Sequence, residues 1–283
     1  MTTATTLPKT RDEDHAALFA ACEAGVALCT IVGIEGSFSR RLGAQMAVYP
    51  DGTTVGSLSD GCLKRQLASD VRSLSEPEVR RYGAGSDKID FRLPCGGGLD
   101  ILLEPEPDRE ACRRAAVTLA NRFTARLALP EPSPLPRRKY LPSLALRIFG
   151  EGPEVRALSG LARHMGIAVE DVTTGVLSLD QASGLPPADA WTAVVLLFHD
   201  HEWELALLEE ALAGEAFFIG AQGGENARIA RTTGLLARGV PEEAIARIRS
   251  PIGLIPSCKT PGTLALSTLA EIVAEYGRLR DAA

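Results

Sequence analysis

What the chain lacks narrows the field first. It has six cysteines in 283 residues, and no two form a CxxC pair. That argues against a structural zinc site or a thioredoxin-type redox pair. The formal charge of −6 leaves no basic excess to neutralise a nucleic-acid backbone. The one basic cluster, Arg137, Arg138 and Lys139, reads as solvated linker, because three charges are fewer than a nucleic-acid patch needs. No apolar run approaches the ~18–20 residues of a membrane span. The opening MTTATTLPKTRDED has no apolar signal region. A cytoplasmic protein with reduced thiols is therefore expected. Neither a G-x-S-x-G elbow nor an H-E-x-x-H helix occurs, so two common hydrolase designs drop out.

What remains is an ordinary globular mixture, 45% apolar and 23% charged, long enough for two cores. Thr10 to Glu13 reads as a capping box that opens a helix to about Glu23, with Gly25 as its terminator. VALCTIVGIE reads as a buried strand. MAVYP and TTVGSL read as a hairpin around Asp51-Gly52. From Cys62 the spacing of Leu63, Leu67, Val71 and Leu74 predicts a helix, capped by Ser59 or Asp60. KIDFRL and LDILLEP read as strands, followed by a helix to about Ala128. Residues 130–142 contain five prolines and are expected to be an extended spacer with no regular element.

Beyond that point strands alternate with helices. LALRIF, IAVEDV, TAVVLLF and AFFIGA read as strands. Helices follow the GEGP turn and the HDHEWE segment, then lie near 224–237, 241–249 and 263–280. This alternation argues for βαβ units and a parallel sheet. The expected class is α/β: an N-terminal α+β domain over 1–129, a linker over 130–142, and a Rossmann-like domain over 143–283.

Several constellations carry chemistry. Gly150 and Gly152 supply two glycines of G-x-G-x-x-G, after a strand and opening a helix. Such glycines let a phosphate approach backbone N–H groups. Asp171, about 20 residues on, stands where a ribose-binding acid would. The alternative is a βα turn that binds nothing, and Glu151 and Glu154 favour it by repelling phosphate. The loop Gly36-Ser37-Phe38-Ser39-Arg40-Arg41 can wrap an anion with serine, backbone and guanidinium donors, though surface loops share that composition. Gly61-Cys62 and Cys95-Gly96-Gly97 each set a cysteine beside glycine. Cys62 falls at a helix N-terminus, which favours anionic sulfur. Thiolate suits soft metal centres, so Cys62 and Cys95 are the candidate metal contacts, against the reading of inert core thiols. Cys22, Cys29 and Cys112 lie in apolar patterns and are expected in the core. His199-Asp200-His201 ends a strand and reads as a cap, a metal site or an acid/base group. Ser257-Cys258-Lys259 reads as a loop.

Taken in order, these segments resemble a known family. GSFSRRLGAQMAVYPDGTTVGSLSDGCLK looks like the N-terminal signature of the XdhC/CoxI family, and LPCGGGLDILLEP like its CGG segment. LRIFGEGPEVRALSGLARHMGIAVEDV resembles its Rossmann start; VVLLFHDHEWELALLEEAL, FFIGAQGG and PIGL…TLALSTLAEIVAEY resemble its later blocks. The resemblance spans roughly 17–276. It implies an accessory protein, a maturation chaperone rather than a catalyst. Such a protein binds molybdenum cofactor, protects it during sulfuration and delivers it to a molybdenum hydroxylase of the xanthine dehydrogenase, aldehyde oxidase or CO dehydrogenase type. The implied partners are that enzyme's large subunit and a cysteine desulfurase, with a homodimer suggested. On this reading Gly36, Ser37, Arg40 and Arg41 hold the cofactor phosphate, while Cys62 and Cys95 approach molybdenum or its sulfur. Ser39, Asp60, Lys64, the Gln222–Glu225 segment and the 255–258 segment depart from the family pattern. A rival reading, an NAD(P)-dependent oxidoreductase, rests on Gly150, Gly152 and Asp171. A third is a pure interaction module whose glycine loops only turn.

Overall fold

Strands buried on both faces form the centre of the first sheet. The structure, a computed structural model, describes residues 13–56, 58, 61–86 and 96–282. The chain divides into two compact units, Met1–Pro142 and Ser143–Ala283. In the first, β1 (Ala27–Glu35) pairs antiparallel with β2 (Gln45–Val48) and β5 (Gly98–Glu104). With β3 (Thr54–Gly56) and β4 (Glu78–Gly83) the order is β3-β2-β1-β5-β4. Cys29, Ile31, Met46, Ile101 and Leu103 face one side, against Leu63, Leu67 and Val71 of helix α2 (Gly61–Arg72). Leu28 and Ala47 face the other, against α1 (Glu13–Ala20) and α3 (Arg109–Ala120). The period-2 alternation of each strand thus fills two layers of core. Cys22, Cys29 and Cys112 are buried in these layers. Burial pushes all three thiols up, Cys112 to about 12.

Several sequence expectations need correction. The third helix ends at Ala120, not near Ala128. Arg122 takes a positive φ of 63°, and 125–128 form strand β6 (Ala125–Ala128). Its partner is β7 (Arg137–Tyr140), inside the stretch expected to hold no regular element. The prolines make the connection of this hairpin rather than a free spacer. Leu129 and Leu135 pack with Val32 and Leu102 on the back of the sheet. Tyr140 is fully buried; its hydroxyl donates to Gln45 Oε1 at 2.5 Å, and Gln45 Nε2 donates to Thr30 Oγ1 at 3.0 Å. Burying Tyr140 and matching its hydroxyl outweighs the weak local tendency of a proline-rich run. Strand β4 falls in a stretch too polar to read as a strand; it is a charged edge. The expected KIDFRL strand, the Thr10 cap, the Ser59 and Asp60 caps and Cys95 lie outside the described residues.

The second unit is a parallel sheet. Strands β8 (Ala145–Gly150), β9 (Ala168–Val172), β10 (Thr192–Leu197), β11 (Phe218–Ala221) and β12 (Ile248–Arg249) lie in the order β12-β11-β10-β8-β9. Helix α4 (Pro153–His164) and helix α8 (Pro261–Ala282) bury Leu158, Ala162, Leu269 and Ile272 on one face. Helices α5 (Glu204–Ala213), α6 (Glu225–Ala237) and α7 (Glu242–Ile245) bury Leu207, Leu208, Leu235 and Ile245 on the other. The helix expected over 241–249 is the single turn α7 followed by β12, because the edge of β11 takes Ile248 and Arg249 as partners. Strand order reverses between β8 and β10, the switch point where open parallel sheets form a ligand crevice.

Candidate functional site

In the first unit, two of the predicted glycine loops meet. Gly97 is buried so tightly on Glu35 that a Cβ there would collide with the Glu35 carbonyl oxygen, and its backbone also lies against Gly36. Only glycine permits this approach of two chains. The loops are held by a network the sequence did not reveal. Arg81 on β4 donates to both carboxylate oxygens of Asp100, at 3.2 and 3.0 Å, and to the Ala84 carbonyl at 2.9 Å. It also bonds Glu35 at the end of β1. A side chain on Gly98 would strike the Arg81 guanidinium. One arginine therefore ties three strand ends beneath the Gly36 and Gly96-Gly97 loops. No linear spacing joins 35, 81 and 100; glycine inside a strand is the one hint.

Ser37 is exposed, and Arg40 and Arg41 are half-buried beyond it. Arg40 donates to the Ser39 carbonyl at 3.4 Å. Phe38 from this loop and Leu63 from α2 join one apolar cluster, so loop and helix start are anchored on the same face. Gly61 opens α2, and Cys62 is exposed in its first turn. Arg65 donates to Cys62 Sγ at 3.3 Å. Cys95, its predicted partner, lies outside the described residues. Among the described residues no group of three or more His, Cys, Asp or Glu is disposed to hold a metal ion.

In the second unit the switch point is built but acidic. Gly150 has φ +138°, and a Cβ there would stand 2.5 Å from the Leu197 carbonyl oxygen, so β8 and β10 touch at their ends only through glycine. Gly152 precedes α4 with φ +96°, and Pro153 takes the first helical position. Glu154 occupies that first turn, its carboxylate 3.5 Å from His199 Nε2. Glu151 accepts from Thr174 Oγ1 at 2.7 Å. Asp171 accepts from Ser159 and, at 2.6 Å, from Arg163. The helix N-terminus that would bind a phosphate is thus flanked by carboxylates.

Next to it is a buried ion pair. Arg231 on α6 donates through Nε to Glu204 Oε2 at 2.9 Å, to Ser250 Oγ at 2.8 Å and to the Gln222 carbonyl at 2.8 Å. Both charges are almost wholly enclosed. Burial pushes the Glu204 carboxyl up, while Arg231 and His201, whose Nδ1 lies 3.2 Å from Oε1, hold it down. Asp200 caps the short turn before α5, accepting from the Glu202 N–H at 3.1 Å. The His-Asp-His segment divides accordingly: Asp200 is a cap, and each histidine lies beside a glutamate.

With this geometry in view, the likenesses to known proteins fall into register. The model described as the XdhC Rossmann domain matches residues 146–272, and that of the XdhC and CoxI family matches 21–83. The molybdenum cofactor insertion chaperone PaoD of Escherichia coli is 31% identical over 268 residues, spanning 88% of this chain and 82% of that protein. An uncharacterized Escherichia coli protein, YqeB, is 26% identical over 254 residues, and the match covers 43% of its length. The crystal structure of a xanthine dehydrogenase from Bacillus halodurans superposes with a TM-score of 0.70 at 20% identity, over 91% of this chain and 94% of that one, a likeness of fold. One model matches within the antiparallel unit that carries the glycine loops and the other within the parallel unit, and the relative matches along most of both: the protein belongs to the XdhC and CoxI family.

Proposed function

We propose that this protein is a maturation chaperone that binds molybdenum cofactor, shelters it while its sulfido ligand is installed, and delivers it to a molybdenum hydroxylase. The observation that carries this reading is the similarity, along 88% of the chain, to a protein named for molybdenum cofactor insertion. The geometry of the first unit supports it. Cys62 offers an exposed soft sulfur with a guanidinium at hand, Gly61 and Gly96 leave open space for a bulky ligand, and Gly97 lets the loop close on Glu35. Gly36, Ser37, Arg40 and Arg41 would hold an anionic group, and Cys95 would be the second sulfur contact. The partners would be the hydroxylase large subunit and a cysteine desulfurase, met in the cytoplasm by a homodimer. Molybdenum would be cargo here, not a resident metal.

The second unit would contribute a docking surface. Gly150, Gly152 and Asp171 frame the place for a nucleotide, but Glu151 and Glu154 set negative charge there, which disfavours an NAD(P) phosphate. Anaerobic purification with cofactor, followed by molybdenum and pterin assay, tests the proposal. The expected result is retention by the wild type and a several-fold loss in Cys62→Ala and Cys95→Ala. Retention no better than that of an unrelated control protein would overturn it.

A further inference from the structure

Helix α2 has a cationic face directed into a groove. Its positions 64, 65, 68, 69 and 72 recur at helical spacing and line a groove closed on its far side by the β2–β3 turn at Gly52 and Thr54. The groove has a volume of about 730 Å³, within the range of small-molecule sites. Lys64, Arg65 and Arg72 bring three positive charges into it, in a chain whose net charge is −6. Among the described residues none of the three is ion-paired to a carboxylate. The acids nearby are already committed. Asp70, on the other side of α2, takes Tyr82 Oη at 2.7 Å and Gln66 Nε2 at 2.9 Å, with Arg80 at 3.5 Å. Asp51 feels the charge of Arg72 but is held in its own turn by the Thr53 N–H and hydroxyl, and it does not line the groove. The Ser69 and Thr54 side chains add hydroxyl donors to the wall.

Cations without a carboxylate partner on a helix face contribute little to the stability of the free protein. An anion between them gains charge-assisted hydrogen bonds. From Lys64 to Arg72 the array runs about 12 Å along the helix, longer than a single anion needs. Arg65 belongs to both the groove and Cys62, touching its sulfur at 3.3 Å.

We infer that the groove between α2 and the β2–β3 turn is an anion subsite for the phosphoryl end of an organic phosphate whose other end reaches Cys62. This rests on the reading above and adds a site to it, separate from Arg40 and Arg41. Lys64 and Arg72 supply point charges at the ends, Arg65 joins the anion to the sulfur side, and Ser69 and Thr54 donate hydrogen bonds.

The test is calorimetric titration of the full-length protein with inorganic pyrophosphate and with phosphate, at low and moderate salt. Lys64→Ala/Arg72→Ala lies on an exposed helical face, where alanine keeps the helix. Its pyrophosphate affinity should fall roughly tenfold or more, whereas Arg114→Ala, a surface cation on α3, should leave it unchanged. Equal affinity in the double variant and wild type, or no binding by the wild type, overturns the subsite. Equal competition by a poly-glutamate peptide overturns it too, in favour of an acidic protein segment. Pyrophosphate binding of the expected pattern, without retention of molybdenum and pterin, upholds the subsite and overturns the cofactor reading alone.

Discussion

On α2 of the first unit, Lys64, Arg65 and Arg72 face a groove, with no carboxylate ion-paired to them among the described residues. On helices α4 and α6 of the second unit, Arg163, Arg228 and Arg231 are each paired to an acid. Buried carboxylates divide the same way. Glu204 is ion-paired to Arg231, whereas Glu104 at the end of β5 has no ion-pair partner among the described residues; each keeps one buried oxygen without a hydrogen bond. These arginines of the second unit are matched internally, whereas the α2 cations of the first are not, although Arg80 and Arg81 of that unit are. Matched charge fixes structure, and unmatched charge at a surface groove awaits a ligand. The fold alone would have placed the ligand at the crevice between β8 and β10. The site proposed above lies in the other unit instead, since function belongs to sites and not to folds.

The sharpest way to break this comparison is Arg231→Leu. It strands Glu204 as a buried charge and should cost about 3–5 kcal/mol in urea unfolding. Glu204→Leu/Arg231→Leu should recover most of that. A loss below about 1 kcal/mol for the single change would show that the pair does not organise the unit.

Glu104→Gln asks the opposite question. Burial pushes the Glu104 carboxyl up, from an ordinary 4.5 to about 7. Between those values the native state holds a proton that the unfolded chain has lost. The favourable contribution is therefore full below about 4.5 and disappears as pH rises to about 7. Glutamine should make the protein more stable at pH 8, by about 3 kcal/mol at most, with the gain vanishing in acid. A gain independent of pH would sink this account.

The smallest expected effect belongs to Lys64→Ala/Arg72→Ala. If these cations serve a ligand and not the fold, unfolding of the ligand-free protein should shift by no more than about 0.5 kcal/mol. A large loss would mean that they hold the helix in place and that the contrast between the units is false.

Some of this was legible in the residues. Asp51-Gly52 announced the hairpin, and strand–helix alternation announced the parallel sheet, because both signals are local. Strand β4 was hidden because an edge strand bearing Arg80 and Arg81 has no apolar alternation. Helix α3 seemed longer because what ends it is the pairing of 125–128 with the later strand at 137–140. At the candidate site the glycines and Cys62 were visible. Arg81 was not, since its partners Glu35 and Asp100 arrive from two other strands. The cationic face of α2 was spelled out at helical spacing, yet it gained meaning only when the β2–β3 turn closed the groove.

The hairpin of β6 and β7 also says where the protein can be divided. Tyr140 reaches back to Gln45, which in turn holds Thr30. A cut among the prolines at 130–136 would remove a keystone from the first unit and leave a buried amide without its partner. Exchange of the second unit between relatives, or its deletion, belongs after Pro142, where the first unit is complete.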